Sequence, residues 1–192
     1  MLANALEDCS RPPPVPEPQQ AELLGSLACE IEPETVEWIW QRRISRGKLT
    51  MLEGDPATNK STLAVDMAAR ISVGRGCPDG SSCETGYVII FAAEDGAGDT
   101  LVPRLMAAEA NLSNVRIVPA VHQNDDSSLT ILTLPDHIKA VEATISSSNA
   151  VLAIIDPLNS FLSSKIDSHR DQDVRRVLAA LGAMAERTNC AF

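Results

Sequence analysis

The sequence predicts an α/β fold, a mostly parallel sheet flanked by helices. Three observations predict it. Two continuous apolar runs, Tyr87 to Ala93 and Val151 to Ile155, suit strands covered on both faces. Segments of helical period alternate with them, the order expected of parallel strands joined by right-handed crossovers. Between an expected strand and an expected helix stands Gly54-Asp55-Pro56-Ala57-Thr58-Asn59-Lys60-Ser61-Thr62. Its spacing is that of a phosphate-binding loop with Asn59 where the second Gly belongs.

The elements follow in order. Residues 1–34 form a Pro-rich lead-in with seven acidic residues against Arg11 alone. Such a segment buries too little apolar surface to order itself, so a disordered or extended tail is expected, with room for a short helix over Glu22 to Cys29. The folded domain is expected over residues 35–192. Gly47 to Glu53 reads as a strand entering the loop. Leu63, Met67 and Ile71 then mark a helix face that ends at Gly74. After the Tyr87 strand, Asp99 is the expected cap of a helix to Ala110, with Pro103 in its first turn. Val115 to Pro119 is a short strand and Pro135 to Ser147 a helix with Ile138, Val141 and Ile145 inward. The Val151 strand ends at Asp156-Pro157. A final helix turns Val174, Val177, Leu178, Leu181 and Met184 inward and stops near Asn189.

Composition excludes several classes. Across 192 residues the formal charge is −10 and 3% of residues are aromatic. That is neither a bulk-basic nucleic-acid binder nor a base-stacking platform. A local basic surface around Arg42, Arg43, Arg46 and Lys48 remains open beside the plainer reading of solvated charges. Cys9, Cys29, Cys77, Cys83 and Cys190 are dispersed and read as reduced cytoplasmic thiols rather than metal ligands. His122, His137 and His169 lack metal-ligand spacing and read as surface or loop residues. The N-terminus has no signal-peptide pattern and no apolar run is long enough to span a membrane.

The loop carries the chemistry. Its backbone N–H groups and the following helix terminus suit a triphosphate, Lys60 reaches the outer phosphates, and the Ser61 hydroxyl suits Mg²⁺. Gly54 allows the sharp exit from the strand. Asn59 is expected in the left-handed conformation, which Asn tolerates best among non-Gly residues, while Ala57 is expected to cost only flexibility. Asp156, at the end of its strand, would hold Mg²⁺ through water near Ser61 in the manner of a Walker B carboxylate. Glu94 ends the neighbouring strand and is the candidate to polarise an attacking water, with Asp95 in a capping or supporting role. The plainer reading of that pair is a solvent-facing helix cap.

Together these pieces resemble the RecA-like ATPases, most closely the RepA-type hexameric helicases among AAA-domain proteins. The resemblance runs from about Val36 to the end. It rests on Trp38-Ile39-Trp40, on Arg43 to Thr50, on Gly54-Asp55-Pro56 with Lys60-Ser61-Thr62, and on Ala93-Glu94-Asp95 with Arg104. Ile155-Asp156-Pro157-Leu158 and Asp167 to Asp173 complete it. It implies binding and hydrolysis of ATP with Mg²⁺ between subunits of a homo-oligomeric ring such as a hexamer, with single-stranded DNA as a candidate partner and no membrane. Glu94 is then the catalytic glutamate and Asp156 the Mg²⁺-associated residue. The family loop has Gly at the positions of Ala57 and Asn59. In that fold the strand after Walker B lies between the Walker B and loop strands, and here it only begins by Phe192. A fragment, weak in stability and in ATPase activity alone, is therefore expected. Against these stands a non-hydrolysing nucleotide-dependent regulator; a small-molecule kinase would need an acceptor site and lid that the sequence does not offer.

Overall fold

The computed structural model describes residues 27–123, 129–164, 166 and 171–192. The chain divides into two units, residues 1–35 and 36–192. Within the first, residues 27–35 are exposed and hold one 3-10 turn, Ala28–Glu30. The Leu27 N–H donates to the Glu30 carboxylate at 3.2 Å. The rest of the expected lead-in, and most of its short helix, lies outside the described residues.

The second unit is built on a parallel sheet. It opens with a small antiparallel hairpin, β1 (Trp38–Trp40) and β2 (Ile44–Ser45), which the sequence did not suggest. Helix α1 (Lys60–Val73) follows the loop and stops where Gly74 turns left-handed at φ +70°. That stop is the expected one. Strand β3 (Tyr87–Ala92) comes next. A π-helical turn, Ala97–Leu101, runs into α2 (Val102–Ala107), with Gly96 rather than Asp99 at the cap position. The wider π turn starts before Asp99, which moves the cap back onto Gly96. A Cβ on Gly96 would collide with the Asp99 carboxylate. Strand β4 (Val115–Pro119) leads to an unforeseen hairpin, β5 (Val121–Gln123) and β6 (Leu129–Ile131). Helix α3 (Ile138–Ser148), strand β7 (Ala150–Asp156) and helix α4 (Asp171–Thr188) complete the order.

The sheet runs β4-β3-β7, all parallel. Side chains alternate across β3, and the two faces bury different sets. Val88, Ile90 and Ala92 pack with Met67, Ala68 and Ile71 of α1 and Leu105 of α2. Ile89 and Phe91 pack with Val141 and Ile145 of α3 and Val177, Leu181 and Met184 of α4. Helices thus cover both faces, which is why β3 is apolar along its length and β7 is apolar up to Asp156.

The expected strand from Gly47 to Glu53 is not formed. The end of the chain enters the sheet beside β7. The Ala191 N–H donates to Val151 O at 3.0 Å and the Ala153 N–H to Ala191 O at 2.8 Å. On its other side the Phe192 N–H donates to Lys48 O at 3.0 Å and the Thr50 N–H to Phe192 O at 2.7 Å. Lys48 to Thr50 therefore flanks Phe192, where the resemblance places the loop strand. Residues 51–53 belong to no strand, and Met51 and Leu52 stand half exposed. A strand exists only where a neighbour completes its ladder. Among the described residues no helix is long and apolar enough to cross a membrane.

Candidate functional site

The loop from Gly54 to Asn59 is solvent-exposed and closes on itself through Lys60. The Lys60 ammonium donates to Gly54 O and Asp55 O, each at 2.8 Å. The Thr58 hydroxyl donates to Asp55 O at 2.7 Å. Gly54 lies so near that hydroxyl that a Cβ would stand 2.9 Å from it, so a side chain there would push Thr58 away. Two loop residues are left-handed, Ala57 and Asn59, both at φ +64°. Asn59 fulfils its expectation. Ala57 corrects the expectation of a mere loss of flexibility, because its Cβ is held in a backbone region that costs an L-residue roughly 1–2 kcal/mol.

Asn59 holds the cap position of α1. Its carbonyl accepts from the Leu63 N–H at 3.0 Å, and its side chain makes no capping bond. Lys60, Ser61 and Thr62 form the first turn, with Lys60 and Ser61 half-buried and Thr62 exposed. Among the described residues no side chain caps the N–H groups of that turn, so the positive end of the helix stays available to an anion.

The carboxylates come from the far ends of adjacent strands. Ala92 and Asp156 stand opposite each other in register, and the Ala93 N–H donates to Asp156 O at 3.3 Å. Asp156 is half-buried and shares with Lys60 a cavity of about 580 Å³ whose walls include Leu49, Leu63 and Ile154. Neither Ser61 nor Glu94 lines it. Glu94 is exposed just past β3, where its Oε1 accepts from the Ser160 hydroxyl at 3.1 Å. Asp95 pairs with Arg104 at 2.8 Å, which gives Asp95 a structural task on the following helix.

The basic cluster is largely spoken for. Arg46 pairs with Glu84 at 2.6 Å and Lys48 with Glu186 at 2.7 Å. The Arg43 guanidinium lies 5.0 Å from the Trp40 ring, whose indole N–H donates to Asp79 at 2.8 Å. Arg42 and Arg43 remain exposed. His137 is half-buried and its Nδ1 accepts from the Thr133 N–H at 3.0 Å. His169 and the His122 side chain lie outside the described residues. Among the described residues no group of three or more His, Cys, Asp or Glu side chains is placed to hold a metal. Burial and the neighbouring Cys77 push the Cys83 thiol up to about 12, and burial does the same for Cys190.

Sequence reasoning missed Ser160. Its signal was its place three residues after Pro157, in the turn beyond a strand's C-terminal end, where sites of parallel sheets gather.

A parallel sheet covered on both faces, with a Lys-bearing loop entering a helix and an acidic residue ending a neighbouring strand, defines a P-loop NTPase type of α/β domain. The sequence matches the AAA domain family over residues 13–192, and the chain belongs to that family. Membership assigns the domain nucleotide binding of the ATPase type. A comparison with curated proteins finds no match.

Proposed function

We propose that the chain binds ATP on Gly54 to Thr62 and hydrolyses it with Mg²⁺, as a module of a DNA-associated, RepA-type ring helicase or replication ATPase. One observation carries the reading: Lys60 and Asp156 line a common cavity that runs along β7 from Leu152 to its C-terminal end at Asp156. Glu94 follows the adjoining strand.

Lys60 now satisfies itself on two loop carbonyls, and phosphate oxygens would replace them. The free N–H groups of the first turn of α1 add to the attraction. Ser61 and Asp156 would hold Mg²⁺, the hydroxyl directly and the carboxylate through water, as oxygen donors of the hardness that ion takes. Bound there, Mg²⁺ would neutralise charge on the phosphates. Glu94 then orients a water toward the terminal phosphate and accepts its proton, a contribution of about 10²–10⁴ in rate for a placed general base. Exposed Arg42 and Arg43 offer phosphate contacts to a single strand of DNA. Ring assembly and the helicase role rest on the resemblance in the motifs from Trp38 to Asp173.

The test uses three forms of the full chain: wild type, Lys60→Ala and Glu94→Gln. Affinity is read with a fluorescent ATP analogue and turnover by phosphate release. Lys60→Ala is expected to weaken binding at least about tenfold, a single charged contact to phosphate. Glu94→Gln is expected to bind normally and release phosphate about 10² times more slowly. Unchanged affinity in Lys60→Ala overturns the site. Binding that depends on Lys60, with release indifferent to Glu94, leaves a nucleotide-dependent regulator.

A further inference from the structure

We propose that Ser160 is a positioning residue for Glu94, holding one carboxylate oxygen so that the other faces the attacking water; this rests on the reading of Glu94 as the base. Glu94 stands on an exposed turn, where a Glu side chain samples several rotamers. Among the described residues its side chain has one hydrogen-bond partner, Ser160, which lies 66 residues away in sequence.

Ser160 itself is well anchored. It sits in a 3-10 turn, Leu158–Phe161, directly after Asp156 and Pro157. Its N–H donates to Pro157 O at 3.2 Å. The next residue, Phe161, is fully buried, and its carbonyl accepts from the Leu134 N–H at 2.6 Å. Ser163, also buried, returns a bond from its N–H to Leu134 O at 3.0 Å. The turn is therefore clamped to the core on both sides of Leu134. A hydroxyl on a fixed support restrains a carboxylate on a free one. The same turn continues from Asp156, so the bond ties Glu94 to the element that carries the other carboxylate of the site. Ser160 donates to Oε1 and leaves Oε2 unclaimed among the bonds of the described residues.

The experiment compares wild type, Ser160→Ala, Ser160→Thr, Glu94→Gln and the Ser160→Ala/Glu94→Gln double variant. Steady-state phosphate release gives kcat and KM, and the ATP analogue gives affinity. Ser160→Ala is expected to lower kcat about tenfold, the effect of one hydrogen bond to a charged group, with KM and affinity within about twofold. Ser160→Thr, which keeps the hydroxyl, restores the rate. In the Glu94→Gln background, Ser160→Ala adds no further loss, because the two act as a unit. In nucleotide-free protein labelled with ¹³C at Glu carboxyls, the Glu94 resonance moves in Ser160→Ala and returns in Ser160→Thr. A Glu94→Gln effect with an unchanged kcat in Ser160→Ala overturns the positioning role alone. Losses that multiply in the double variant also overturn it. A rate indifferent to Glu94→Gln overturns the base and, with it, the role of Ser160.

Discussion

Ala57 and Asn59 share one backbone torsion on either side of Thr58, a left-handed φ of +64°. Each carries a Cβ where Gly would carry none. Asn offsets part of the strain because its short polar side chain suits that region, and Ala has no such compensation. Ala57→Gly is therefore expected to stabilise the chain by about 1 kcal/mol, and Asn59→Gly by less. Urea unfolding followed by circular dichroism reads both. Loss of stability in Ala57→Gly would mean that the loop is not held in this shape.

Gly86 shows the opposite constraint, space rather than torsion. Its N–H donates to Ile71 O at 3.0 Å, and a Cβ built on it would stand 2.5 Å from Val151 Cγ2 and 2.6 Å from Cγ1. Val151 is buried in β7, the strand that ends at Asp156, and cannot swing into solvent. Gly86→Ala is expected to destabilise by about 1–3 kcal/mol through overpacking. In Gly86→Ala/Val151→Ala both Cγ contacts are gone and only the residue-151 Cβ at 3.1 Å remains close, so the double variant should unfold later than the sum of the two single effects requires. Strict additivity would show that the two residues do not touch.

Asp79 ties the β1–β2 hairpin to the loop after α1, and its charge state is the latch. The Ser81 hydroxyl at 2.6 Å, the Trp40 indole N–H at 2.8 Å and the Ser81 N–H at 3.0 Å all donate to its carboxylate. Ser81 first and Trp40 second hold its pKa down to about 2. A carboxylate lowered on folding stabilises the fold above its unfolded value, near pH 4, and that contribution disappears as pH falls through about 2. Indole fluorescence should therefore show an acid transition centred near pH 2 in the wild type that Asp79→Asn lacks. A midpoint near pH 4 would mean that Trp40 and Ser81 do not engage Asp79 in solution.

What the sequence revealed, and what it hid, follows from the range of the forces involved. β3 and β7 were legible because helices on both faces demand continuous apolar runs, Tyr87 to Ala92 and Ala150 to Ile155, and α4 because Val177, Leu181 and Met184 keep a helical period. Gly74 and Asn189 marked helix ends because both positions turn left-handed. The β1–β2 and β5–β6 hairpins have strands of two or three residues, too short for alternation to register. The Gly47 to Glu53 segment looked like a strand, but its ladder depends on Phe192, far along the chain. In the site, the loop's spacing pointed to Lys60, and an apolar strand ending in a carboxylate downstream of that loop pointed to Asp156. Spacing could not disclose that Ala57 is left-handed, nor that Ser160 reaches Glu94, since both depend on how distant segments meet.

The cysteines should separate sharply by reactivity, although none is distinctive in sequence. Alkylation needs the thiolate, so a raised thiol is slow and a buried one slower. Cys29 is exposed, whereas Cys77 and Cys190 are buried and Cys83 is partly covered. The Cys77 thiol further donates to Ile39 O at 3.7 Å, beneath the β1–β2 hairpin. With Cys83 and Cys190 both pushed up to about 12, only a minute thiolate fraction exists at pH 8. Iodoacetamide at that pH is expected to modify Cys29 well before Cys77, Cys83 or Cys190, as read by peptide mass spectrometry over time. In 8 M urea, roughly the strength that exposes a small domain fully, the four rates should converge. Asp79→Asn should speed Cys77 and Cys83 selectively, because loosening the Trp40 bond uncovers the loop that carries both, while Cys190 keeps its wild-type rate. Equal acceleration of Cys190 would indicate general unfolding and not a local release.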